Sequence, residues 1–331
     1  MKDYKENFKN AINFATHKLK NEPLKMILLG IMGSIYVGIA YMVFIVILGS
    51  WTGVIQHEII DDNGILVQKF GISIPGVALF TAAALFPVGI ILILFLGGSL
   101  FTSDNLTMLS WITRQRYHNG DLVLFRHIFA KWMYTLIGNI LGGLIIGAIC
   151  RGADFFANEN YQLLLGYLCG KKISTAWYFT IISGFLCNIL VAGSIWGSLA
   201  AAHSTAKILL VFFPIWLFAV AGFQHVVANS ILFSMGLFYM INGSEQDTLL
   251  LALNYAVNGS EFKHAANATI QDFREIKSWI NTGDFIFRLS IMNLLPATLG
   301  NWMSGSFFLP YTYYYLSGHY KEMRKQLHNV V

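Results

Sequence analysis

Charge is what this sequence has least of. Of its 331 residues only 12% are Asp, Glu, Lys or Arg, while 56% are hydrophobic and mean hydropathy is +0.57. An ordinary soluble domain carries about 25% charged residues, so a water-soluble globular fold is excluded and an integral membrane protein is expected. Cysteine is scarce as well. Cys150, Cys169 and Cys187 show neither CxxC nor metal-ligand spacing, which speaks against a disulfide framework or a metal site and leaves small apolar residues or idle thiols. Also missing are a GxSxG nucleophile motif, an HExxH metal site, paired membrane carboxylates and a GxxxxGK[ST] phosphate loop. Enzymatic chemistry and ATP-driven pumping therefore lack support, and no cofactor is implied. A signal peptide has a short basic start and then an apolar core, whereas residues 1–22 are polar throughout, so no cleavage is expected.

What is present is length in apolar runs. Crossing a hydrocarbon core of about 30 Å takes roughly 20 residues of helix. Uncharged runs extend from Ile27 to Leu48, Phe70 to Ser103, Trp132 to Cys150, Ile173 to Ala206, Ile208 to Ser244 and Leu289 to Tyr320, which predicts six spans. Lys and Arg gather at the N-terminus (Lys2, Lys5, Lys9, Lys18, Lys20, Lys25), after the second run (Arg114, Arg116, Arg126, Lys131) and at the C-terminus (Lys321, Arg324, Lys325). The positive-inside rule makes these segments cytoplasmic, with both termini inside a plasma membrane. The net charge of +5 is thereby accounted for as membrane anchoring rather than nucleic-acid binding. Tyr4, Phe8, Ile12, Ala15 and Leu19 recur at helical spacing, so residues 1–22 predict a cytoplasmic amphipathic helix that either lies on the bilayer or packs on the protein. Residues 23–318 are expected to form the six-span domain, with an exterior insertion at 242–282 read as a cap over the exterior mouth, and 319–331 a cytoplasmic tail. Asn-x-Ser/Thr matches at Asn242, Asn258 and Asn267 fall in that insertion and decide nothing by themselves.

The order span, broken span, small-residue span occurs twice. "GGSLFTSDNLTM" at 97–108 interrupts the second run and "AGFQHVVANSIL" at 221–232 the fifth, and each precedes a Gly-Asn motif, "GNILGG" at 138–143 and "GNWMSG" at 300–305. Three spans per copy is odd, so the second copy must sit inverted relative to the first. Backbone that leaves the helix inside a membrane is tolerated only beside protein or a watery cavity. Gly97, Gly98 and Gly222 permit the breaks, and Ser103 or Asp104 is expected to cap the half-helix that follows. Asn139, Asn188 and Asn301 are expected to bond across helices or to broken backbone. Gln224 and His225 stand inside a run without formal charge from Ile208 to Ser244. Taken alone, His225 reads as a histidine bonded between helices; its place beside a break turns the reading towards function.

"LFTSDN" at 100–105, "CNILV" at 187–191, "GFQHVVAN" at 222–229 and "NLLPATLGN" at 293–301 together resemble the formate/nitrite transporter family, over about residues 1–320 outside the 242–282 insertion. The resemblance implies a homopentameric channel with an aquaporin-like subunit: an all-α membrane protein of six transmembrane helices in two inverted three-helix repeats, passing small monovalent weak-acid anions such as formate, nitrite, lactate or hydrosulfide, passively or with protons. It also implies roles. His225 is the central pore histidine, Thr102 its partner in the other break, and Asn188 lies near both. Apolar constrictions fall on Phe86, Ile90, Leu100, Phe101 and Phe218. Lys172 guards the vestibule, with Lys171 a one-residue alternative. Family members usually carry glutamate where this chain has Gln224, which leaves the lysine either uncompensated or facing another acid and implies a vestibule more attractive to anions. Asp104 also departs from the small or amide residue expected there. An aquaporin-like channel for neutral solutes is the nearest rival, although paired Asn-Pro-Ala motifs are missing.

Overall fold

The computed structural model describes residues 3–60, 66–114, 121–241 and 280–319, together with 249, 252, 253, 256 and 257. Asn242, Asn258, Asn267 and nearly all of the expected tail lie outside them. Helix α1 (Tyr4–Leu19) begins at Asp3, whose side chain accepts from the Glu6 amide at 2.7 Å, supplying one of the bonds that a helix start otherwise lacks. Its apolar stripe is buried against protein: Phe8, Ala11 and Ala15 are inaccessible, and the Phe8 ring lies 6.3 Å from Trp196 and 6.1 Å from Tyr314. The packed alternative for this helix is therefore the one realised.

Helix α2 (Pro23–Gly49) follows, opened by a proline whose missing N–H is no loss in a first turn. A two-stranded antiparallel hairpin comes next, β1 (Gly53–Ile60) with β2 (Leu66–Ser73), in register from Gly53 opposite Ser73 to Ile60 opposite Leu66. This corrects the all-α expectation to a predominantly helical fold. It also trims the second apolar run, because Phe70–Ser73 is strand and helix resumes only past Pro75. Helices α3 (Gly76–Ala83) and α4 (Pro87–Leu96) form one apolar stretch; after a break come α5 (Phe101–Asp104), a 3-10 turn (Asn105–Thr107) and α6 (Met108–Arg114). The chain continues through α7 (Asp121–Gly152), α8 (Glu159–Ser174), α9 (Trp177–Ala200), α10 (Ser204–Ala221), a second break and α11 (Val226–Ile241). The last segment is α12 (Thr282–Arg288), α13 (Leu295–Trp302) and α14 (Leu309–Leu316), joined by π-helical turns at Leu289–Leu294 and Met303–Phe308.

Among the described residues five stretches are long and apolar enough to cross a membrane: Pro23–Gly49, Gly76–Leu96, Leu124–Gly152, Trp177–Ala200 and Ser204–Ala221. Several helix pairs, α2 with α7 and α9 with α13 among them, pack at backbone contact, and the reason is glycine. A Cβ on Gly138 of α7 would sit 2.2 Å from the Ile27 carbonyl of α2, and one on Gly300 of α13 would sit 2.2 Å from the Ile181 carbonyl of α9. Only hydrogen fits at that separation. The core gathers around the two breaks, while Leu209, Phe213 and Leu217 of α10 face outward.

Candidate pore site

Both breaks are made by a glycine and repaired by an asparagine. Gly97 (φ +88°) and Gly222 (φ +66°) take conformations that a side chain disfavours. At the first break the Asn139 carboxamide oxygen accepts the Phe101 amide at 2.9 Å, while its nitrogen donates to Ser99 O at 2.9 Å and Gly30 O at 2.8 Å. At the second, the Asn301 oxygen accepts the Val226 amide at 2.9 Å, while its nitrogen donates to Gln224 O at 2.9 Å and Gly184 O at 2.7 Å. The two sets match atom for atom. In each, the asparagine takes the first amide of the resumed helix, the carbonyl two residues earlier and a carbonyl of a neighbouring apolar helix. Backbone groups that would otherwise be buried unpaired, at about 1–3 kcal/mol each, are thereby satisfied. Asn139 and Asn301 thus bond to broken backbone. Asn188 joins them, donating to Asn301 O at 2.7 Å and Thr102 O at 3.3 Å.

The breaks bring Thr102 and His225 together from 123 residues apart: Thr102 Oγ1 lies 2.9 Å from His225 Nε2. The other ring nitrogen, Nδ1, lies 3.0 Å from the Ala228 amide. An amide N–H only donates, so Nδ1 is the acceptor and the neutral ring carries its proton on Nε2. That proton goes to Thr102 Oγ1, which leaves the threonine hydroxyl hydrogen free to be offered elsewhere. His225 also closes the start of α11, since its backbone oxygen accepts the Asn229 amide at 2.8 Å. Both side chains are buried.

Phe218 packs against this pair, its ring centroid 5.7 Å from His225 and 5.4 Å from Phe86. Beyond the two phenylalanines opens a cavity of about 540 Å³ lined by Tyr41, Phe44, Ile72, Ile74, Lys172 and Gln224 among others. Ile90, Leu100 and Phe101 are buried within the core around the breaks, and none of the three lines that cavity. The structure separates the two candidate lysines. Lys171 is exposed and lies 5.9 Å from the Tyr167 ring, whereas Lys172 Nζ donates to Gln224 Oε1 at 3.2 Å.

Gln224 Oε1 also accepts from Asn229 Nδ2 at 2.8 Å and Asn293 Nδ2 at 3.1 Å, and Asn293 donates further to Lys172 O at 2.9 Å. The ammonium therefore rests on a neutral amide network. Lys172 lies on α8, which is not among the stretches long and apolar enough to cross a membrane. Burial pushes its pKa down to about 8, with the neighbouring Lys171 acting in the same direction. Asn229 and Asn293 were within reach of sequence reasoning, being the last residue of "GFQHVVAN" and the first of "NLLPATLGN", both polar among apolar neighbours.

Capping by Ser103 or Asp104 is not what occurs. The residue before α5 is Leu100, whose side chain has no acceptor to offer, and the Ser103 hydroxyl donates back to Leu100 O; the Asn139 carboxamide oxygen caps that start instead. Asp104 faces Lys18 of α1 as an ion pair at 2.9 Å and accepts from Thr135 Oγ1 at 3.0 Å. Lys18 also donates to Ser99 Oγ at the first break. The three cysteines are buried and free.

Comparison with known proteins follows the same line. The profile of a family described as "Formate/nitrite transporter" matches residues 5–315. The formate channel FocA of Haemophilus influenzae is 26% identical over 233 residues, covering 70% of this chain and 72% of that one. FocA of Escherichia coli K12 is 22% identical across 92% of this chain and 91% of its own. Formate-nitrite transporter 2 of Toxoplasma gondii is 30% identical over 48% of this chain and 33% of that protein. Among solved structures, a pentameric formate channel with formate bound superposes with a TM-score of 0.61 at 22% identity, covering 89% of this chain and 97% of that one.

Proposed function

This chain belongs to the formate/nitrite transporter family, and from that premise we propose that it is a homopentameric, aquaporin-like channel for small monovalent anions of weak acids. Its relatives are channels and transporters, not enzymes. In this reading the subunit has six spans in two inverted repeats, the sixth running from α12 to α14 through its π-helical turns. The matched bonds of Asn139 and Asn301 support the repeat, since one arrangement is used at both breaks. The outward apolar face of α10 supports contact with lipid or a neighbouring subunit. Both termini are cytoplasmic at the plasma membrane, on the charge distribution alone.

The observation that carries the function is the Thr102–His225 pair, held at the junction of the two breaks behind an aromatic constriction. An anion reaching the cavity meets Lys172, which raises its local concentration. It then faces Phe86 and Phe218, where a bare charge loses its water without replacement, a cost of many kcal/mol that its neutral acid escapes. Formate, nitrite, lactate and hydrosulfide each carry one negative charge and become neutral on gaining one proton. Beyond the rings the Thr102 hydroxyl is the donor on offer, oriented by the Nε2–H of the neutral His225 ring, which leaves its hydrogen free for the anion. The proton that neutralises the anion comes from water in the vestibule, and the hydrogen bond from Thr102 holds the substrate while it is taken up.

Uptake of formate, nitrite, lactate, hydrosulfide and glycerol into proteoliposomes between pH 5 and 8, for wild type and His225→Phe, tests this directly. Weak acids should cross and glycerol should not, and the variant should lose the wild-type pH dependence. A His225→Phe profile that overlies wild type ends the role given to the histidine, and permeation of glycerol alone ends the anion reading.

A further inference from the structure

The 242–282 insertion is the largest part of the chain that the pore reading leaves idle. Leu249, Ala252, Leu253, Ala256 and Val257 are described there, all helical and spaced so that they share one face. Leu249, Ala252 and Leu253 are buried. That face lies on α8: a Cβ on Gly166 would stand 2.2 Å from Leu249 O, and a Cβ on Gly170 would stand 2.5 Å from Leu253 O and 2.7 Å from Ala256 Cβ. Two glycines one helical turn apart thus admit a second backbone into contact with α8. None of the five residues lines the vestibule cavity; what they do is brace a helix.

Lys172 comes two residues after Gly170. Its ammonium reaches Gln224 Oε1 at 3.2 Å, and its backbone oxygen is held by Asn293 at 2.9 Å. Elsewhere α8 meets α11, where a Cβ on Gly236 would lie 2.9 Å from Cys169 Sγ. A hydrogen bond already near the long end of its range fails with a shift of half an ångström. We propose that Leu249, Leu253 and Ala256 form a positioning element, pressing α8 inward through Gly166 and Gly170 so that Lys172 stands where the vestibule captures its anion. The proposal rests on the channel reading given above.

The experiment measures initial rates of formate and lactate uptake in proteoliposomes for wild type, Gly170→Val, Leu253→Ala, Lys172→Gln and the Gly170→Val/Lys172→Gln double variant. Gly170→Val should raise KM about tenfold, the effect of losing one well-placed charged contact, with Vmax within about twofold. Leu253→Ala, which thins the brace without forcing a clash, should move KM the same way by a smaller factor. In the Lys172→Gln background Gly170→Val should add nothing further. The fall of uptake as pH rises through about 8 should shift to higher pH in Gly170→Val, because an ammonium freed from its packing regains water; Lys171, Cys169 and Cys187 are the other titratable groups facing it. Where Gly170→Val fails to assemble, Leu253→Ala decides. An unchanged KM in Leu253→Ala, or a Gly170→Val effect that persists undiminished without Lys172, overturns the inference while leaving the channel intact. A wild type that carries no weak acid overturns both.

Discussion

Replacing Lys18 by methionine strands Asp104. The carboxylate is 1% exposed and the ammonium 13%, with 2.9 Å between the charged atoms. Without Lys18 the carboxylate keeps, among the described residues, only the Thr135 hydroxyl, 3.0 Å away, as a side-chain donor. Removing one partner from a buried pair costs about 3–5 kcal/mol, most of it the penalty of a buried charge left alone. Asp104→Leu should cost less, about 1–3 kcal/mol, because the longer and more exposed lysine retains Ser99 Oγ and reaches water by extending its stem. In the double variant both charges are gone, and Thr135 still has the Lys131 carbonyl at 3.1 Å as acceptor. Its stability should return to within about 1 kcal/mol of wild type. A coupling of about 3 kcal/mol or more is therefore expected. Reversible unfolding in mixed micelles by increasing the fraction of denaturing detergent, followed by circular dichroism, yields all four corners of the cycle. Additive losses in the double variant, with coupling below about 0.5 kcal/mol, would falsify the claim that this pair seats α1.

Thr102→Val removes the acceptor of the His225 Nε2 proton and the hydroxyl offered at that point; uptake should fall about tenfold, and Thr102→Ser should keep most of it. Equal rates for valine and serine would show that the hydroxyl is not used. Gln224→Glu places a carboxylate about where Oε1 now lies, 3.2 Å from Lys172 Nζ. Burial lowers the Lys172 pKa to about 8, so anion capture is present below that pH and lost above it; the new charge should carry the alkaline limb upward while raising KM at neutral pH. An unmoved limb together with an unchanged KM refutes this. Asn301→Leu strips one amide and two carbonyls of their partner and should destabilise the protein by about 3–6 kcal/mol, with Asn139→Leu comparable; thermal shifts of only a degree or two in both would count against the matched clamps.

Much of this was open to reading because a bilayer tolerates few arrangements of backbone. Long uncharged runs map onto helices, and the polar interruptions at 97–108 and 221–232 map onto breaks, since unsatisfied backbone has nowhere else to go. The family resemblance named Thr102 and His225, and the structure brings them within hydrogen-bond distance. Other features were hidden for definite reasons. Of the hairpin at 53–73 only Phe70–Ser73 falls in an apolar run, too short to tell strand from helix; the rest lies between runs, where Glu58 and Lys69 make it read as a loop. Asp104 looked like a cap because of its place after a break, and its partner Lys18 lies 86 residues earlier in a helix whose docking no local pattern encodes. Lys171 and Lys172 are neighbours in sequence, and only the phase of α8 decides which one reaches Gln224. Asn229 and Asn293 form a pair at 2.7 Å, yet each in isolation looks like one more polar residue in an apolar helix.

The seat of α1 has a bearing on the order in which the molecule is made. Its buried face is built by Asn7 donating to Trp196 O at 3.0 Å and by Phe8 resting on Trp196 and Tyr314, while its lysine waits for Asp104. This helix is thus completed by Trp196 and Tyr314, residues translated well after it. Until α9 and α14 are in place, α1 has an apolar stripe and no groove to put it in, and the docked helix becomes a report that those two segments have arrived.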